Sequence, residues 1–83
     1  MILIKATFSG STPQYVAKTN CSFHPIDGSI LEISEEVEFT KNADLAIDFS
    51  DSVRADNWIA HFHQNSELME NYKIDFFDLT WKS

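Results

Sequence analysis

The chain has 83 residues, 43% of them hydrophobic and 13% aromatic, and its 13 acidic against six basic side chains give a formal net charge of −7. That length makes one domain, residues 1–83, and its seven Phe, two Trp and two Tyr are ample for one core. The charge excludes the usual modes of direct binding to nucleic acid or an anionic membrane, which need clustered cations; Lys5, Lys18, Lys41, Arg54, Lys73 and Lys82 stand singly.

Residues 2 to 8 alternate, with Ile2, Ile4, Ala6 and Phe8 in one phase, which predicts a strand closed by the turn-rich "SGSTP". A second strand follows over 14–23, with Tyr15, Ala17, Thr19, Cys21 and Phe23 on one face, hairpinned to the first. "HPIDGS" then supplies a turn through Pro25 and the Asp27-Gly28 pair. The third strand covers 30–39. Leu31, Ile33, Val37 and Phe39 share its apolar phase, and Glu32, Ser34, Glu36 and Glu38 share the other. Glu35 breaks the pattern, which calls for a sheet margin or a bulge near Ser34.

After "TKNAD", Leu45, Ile47 and Phe49 predict a fourth strand with Asp44, Ala46 and Asp48 outward. "SDS" offers helix N-caps in Ser50, Asp51 and Ser52, and Ala55, Ile59 and Phe62 then recur at helical spacing with Trp58 and Met69 flanking. The helix is expected from about residue 53 to 65, with "SELMEN" extending it or forming a separate short piece. "YKIDFFDLTWK" closes the chain as a strand whose apolar residues occupy both phases, as at a bulge or a central position. The fold class is therefore α+β, in the order β-β-β-β-α-β. About five mainly antiparallel strands carry one helix, which covers the odd-numbered faces of strands three and four.

Cys21 is the single cysteine, so no internal disulfide forms. The opening "MILIKATF" lacks the basic start and long apolar run of a secretory leader, and no run reaches the ~18 apolar residues of a membrane span. The expected location is the cytoplasm. Cys21, His24, His61 and His63 could be written as four zinc ligands, but residues two apart on a helix point about 200° apart, so no metal or cofactor is expected. Cys21 with His24 lacks a third orienting group for catalysis. Two glycines build no phosphate-cradling loop, and no catalytic residues are assigned.

The acidic segment "EISEEVEF" remains. If Lys41, Asn42 and Ala43 form the loop between the third and fourth strands, Glu38 faces Ala46 and Glu36 faces Asp48. Glu32, Glu36, Glu38, Asp44 and Asp48 then make one outward stripe, with Asp51 just beyond and no cation in the same phase. Such a face either stays solvated, guarding against edge-to-edge pairing, or docks a basic partner. Five carboxylates over roughly 23 Å fall well short of the about thirteen charges of duplex DNA over that length. The stripe is one acidic patch in a mixed interface, with Trp58 and Tyr72 as aromatic candidates and Tyr15 and Trp81 behind them.

By analogy of size and charge, the expected function is a small acidic inhibitor. It would occlude a basic, nucleic-acid-handling protein or nucleoprotein complex, in an immunity, anti-restriction or anti-CRISPR type of role. The alternative is an assembly module acting by strand addition or self-association, including a homodimer. A metal-binding protein ranks third.

Overall fold

Alternation becomes strand where the sequence predicts it: Ile2–Phe8 (β1), Gln14–Phe23 (β2) and Ile30–Thr40 (β3) in the computed structural model, which describes residues 1–83. Beyond β3 the chain departs from expectation. The Asn42 side chain accepts a hydrogen bond from the Asp44 N–H (2.9 Å) and winds Ala43–Leu45 into a 3-10 turn. Two helices follow, Ser52–His63 (α1) and Ser66–Tyr72 (α2), and then one last strand, Ile74–Trp81 (β4). The result is an α+β fold with four strands and two helices, in place of about five strands and one helix.

All four strands pair antiparallel in the spatial order β3-β2-β1-β4. β1 and β2 share only the pairs Lys5↔Tyr15 and Ala6↔Gln14. Beyond them, residues 47–49 bond to both strands: Ile47 N–H donates to the Val16 carbonyl (3.0 Å) and Phe49 N–H to the Ile2 carbonyl (2.9 Å). The expected fourth strand is therefore corrected to a tie between β1 and β2 that forms no ladder with β3. Apolar alternation records which way side chains point, and it is silent about which backbone lies alongside.

α1 begins where Asp51 caps it, accepting from the Arg54 N–H (2.8 Å). Asn65 caps α2 in the same way, so "SELMEN" forms the separate short piece of the two alternatives. Lys73 ends α2 in the left-handed conformation (φ 58°), its N–H returning to the Glu70 and Met69 carbonyls. The N-terminal half of α1 lies against the β2–β3 turn, where Asn57 donates to the Gly28 carbonyl (2.8 Å). Gly28 has φ +74°, the left-handed conformation that favours glycine, and a Cβ there would stand 3.2 Å from Val53 Cγ1. The far end of α1 reaches β4, where His63 Nε2 accepts from the Phe77 N–H (3.2 Å). The helix thus runs from the β2–β3 turn to β4.

Between helices and sheet lie Ile4, Val16, Phe49, Phe62 and Phe77 around Trp58, whose ring sits 5.7, 4.2 and 4.9 Å from those of Phe49, Phe62 and Phe77. The Trp58 indole N–H donates to Thr19 Oγ1 (3.2 Å), so the buried ring keeps no unpaired donor. No helix is long and apolar enough to cross a membrane.

Candidate interaction surface

β3 is an edge strand, and Glu32, Glu35, Glu36 and Glu38 along it are exposed. Its ladder with β2 is broken where the sequence hinted. Thr19 pairs with Val37 and Cys21 with Ile33, so two steps on β2 face four on β3. The surplus at Ser34–Glu36 is a bulge, and it absorbs Glu35 without reversing the apolar phase. The Tyr72 hydroxyl fills it, donating to the Glu35 carbonyl (3.0 Å) and accepting from the Val37 N–H (3.1 Å). Ser34 Oγ accepts the Glu36 N–H (3.2 Å). Asn20 of β2 lines one shallow cleft with Lys18, Glu36, Glu38 and Tyr72, and a second with Glu32, so the three glutamates border one surface.

The expected stripe is only half there. Because β3 pairs with β2, the residue opposite Glu38 is Lys18, and the two approach to 3.7 Å as a solvated ion pair. Asp44 pairs with Lys82 at the end of β4. Asp48 accepts the N–H groups of Ile2 (3.0 Å) and Ser50 (2.9 Å). Those two bonds, Ser50 first, hold its carboxyl below the usual range. Asp51 is held low by the Arg54 N–H and the adjacent guanidinium. The facing pairs expected across a third and fourth strand, Glu38 with Ala46 and Glu36 with Asp48, do not occur. Glu32, Glu36 and Glu38 remain an exposed group in which only Glu38 has a cation beside it; Asp44, Asp48 and Asp51 are engaged within the chain.

Of the two aromatic candidates, Trp58 is corrected outright: it is 0% exposed and belongs to the core. Its spacing from Ala55 and Phe62, three and four residues, was the available signal. Tyr72 is half-buried, with its hydroxyl committed to the β3 bulge. The exposed indole is Trp81, 68% accessible on β4, with Phe76 at 45% on the same strand. Leu45, Ile26, Leu31 and Val53 are also exposed.

The histidines are dispersed. His63 serves β4 as described, His24 Nδ1 accepts the Ile26 N–H (3.2 Å) within its own turn, and His61 lies edge-on to Phe62. No three His, Cys, Asp or Glu side chains are grouped to hold a metal ion. Burial pushes the Cys21 thiol up, away from the thiolate a nucleophile needs.

No protein-family model matches the chain, and no curated protein or solved structure matches it either.

Proposed function

We propose that the protein is a small acidic inhibitor that docks on a basic, nucleic-acid-handling protein or nucleoprotein complex through the outer side of β3. The observation that supports this reading is the exposed group Glu32, Glu36 and Glu38, in which one cation, Lys18, reaches only Glu38. A charge group on a rigid strand steers a basic partner during encounter and fixes its orientation. The same glutamates discourage strand-to-strand pairing at this edge, so contact here runs through side chains.

The test uses wild type and the variant Glu32→Gln/Glu36→Gln/Glu38→Gln as paired baits in a host lysate. A basic partner held by wild type and lost by the variant supports the reading. The same set of proteins on both baits contradicts it.

A second reading, an assembly module acting by strand addition or self-association, is favoured by one observation: β4 is also an edge strand, and it carries the exposed Trp81.

A further inference from the structure

Resting on the assembly reading, the geometry points to a specific homodimer, in which β4 pairs antiparallel with β4 of a second copy about a two-fold axis at Thr80.

Met1 and Lys82 exchange both backbone hydrogen bonds at 3.0 Å, which sets the phase of the β1–β4 ladder. In an antiparallel ladder the inward and outward groups alternate, so Lys82, Thr80 and Asp78 turn their N–H and C=O groups toward β1. Phe77, Leu79 and Trp81 turn theirs outward. His63 occupies the Phe77 N–H, and no protein group accepts those of Leu79 and Trp81. An exposed strand edge with two free residues and an exposed indole is a template for another strand.

The register follows from those two residues. Outward groups bond only to outward groups, so self-pairing allows axes at Asp78, Leu79, Thr80 or Trp81, and an axis at Asp78 would pair Leu79 with Phe77, whose N–H is taken. An axis at Leu79 would place Trp81 opposite Phe77, whose N–H is taken. An axis at Trp81 needs a ladder running past the strand's end at residue 81. An axis at Thr80 uses the two free residues and no others: Leu79 bonds to Trp81 of the second copy, twice over by symmetry. The side chains agree. Trp81 then lies beside the half-buried Leu79 of the other copy, an aromatic–aliphatic pair. Thr80 meets Thr80, and Asp78, which lies across from Lys5 in its own ladder, stands directly opposite Lys82 of the other copy at both ends, so Lys82 there bridges Asp44 of its own chain and the incoming Asp78. That charge match recommends a second copy as the occupant in spite of the net charge of −7. The opposite edge cannot substitute, since β3 is broken by its bulge and lined with glutamates.

The test is sedimentation equilibrium on wild type, Asp78→Lys, Lys82→Asp and an equimolar mixture of the two variants, up to millimolar concentration. Each single variant sets like charges opposite each other twice, which weakens self-association by about tenfold or more. The mixture restores it, because a heterodimer of the two variants matches opposite charges at both ends. Trp81→Pro removes an outward N–H that makes no bond within the chain, so it yields a folded monomer even if Lys82→Asp fails to fold. A dimeric wild type with no rescue in the mixture overturns the register and leaves the assembly reading standing. A dimeric Trp81→Pro variant overturns the β4 edge itself. Wild type that stays monomeric throughout overturns both the inference and that reading.

Discussion

Asp48 accepts the backbone N–H of Ile2 at 3.0 Å across 46 residues of sequence, from the segment that ties β1 to β2. A carboxylate expected on an open face instead closes the sheet where the β1–β2 ladder stops. Its second bond, from Ser50 N–H, orders the entry to α1, where Ser50 itself has φ 74°. One side chain thus connects strand β1 to the start of the helix. This makes Asp48 a poor place to test binding, because charge reversal there disturbs the fold first.

The pH dependence of stability follows from the same group. Asp48, Asp51 and Asp27 all have folded-state values held below the ordinary ~3.9 by hydrogen bonds from backbone N–H groups. Their stabilisation is fully present above the ordinary carboxylate range and is lost as pH falls through the lower folded values. Melting temperature measured down the acid limb should fall there for wild type. Asp48→Asn, which keeps an acceptor and cannot titrate, should fall less steeply, and Asp48→Ala should be less stable at neutral pH. Identical acid limbs for wild type and Asp48→Asn would contradict the assignment.

The indole bond in the core gives a second prediction. Thr19→Val removes the acceptor and leaves a buried donor unpaired, at a cost of about 1–2 kcal/mol. In a chain of this size each kcal/mol lowers Tm by about 4–8 °C. Trp58→Ala, which empties the centre of the core, costs about 3–5 kcal/mol and should leave little folded protein. Thermal melts followed by circular dichroism check both, and a Thr19→Val variant as stable as wild type would remove the bond's role.

Tyr72→Phe tests the bulge. Loss of the hydroxyl strands the Val37 N–H and the Glu35 carbonyl, costing about 1 kcal/mol. Hydrogen exchange at the Val37 amide should accelerate more than at Val16, which lies on β2 away from the bulge. Uniform acceleration at both would mean global destabilisation and no local role.

The strands β1, β2, β3 and β4 were legible because each carries apolar residues at strand spacing next to turn or cap signals, and the cap at Asp51 follows side-chain chemistry visible in the sequence. Of the strand neighbours only the β1–β2 hairpin was legible; the pairing of β3 with β2 and of β4 with β1 was not. Leu45, Ile47 and Phe49 alternate like a strand, yet the segment crosses a gap with one backbone bond to each side. That misplacement propagated to the surface: with β3 paired to β2, Lys18 came to stand opposite Glu38, and Asp44 and Asp48 left the stripe. The bulge was legible, since Glu35 has no other place in the pattern. Placing Trp58 on the surface conflicts with its spacing from Ala55 and Phe62, which marks the buried stripe, whereas Trp81 is exposed at the end of β4, a depth that its strand pattern does not reveal.

Glu32, Glu36 and Glu38 are proposed to steer and seat a basic partner. The most direct test is the association rate of the captured partner with wild type and with Glu32→Gln/Glu36→Gln/Glu38→Gln, at low and at high salt. The triple variant should melt like wild type, because these carboxylates make no hydrogen bond within the chain and only Glu38 has an ion pair, a solvated one. Wild type should associate faster at low salt, by about tenfold or more, and lose that advantage as salt rises. Equal rates for the two proteins at every salt concentration would contradict the claim.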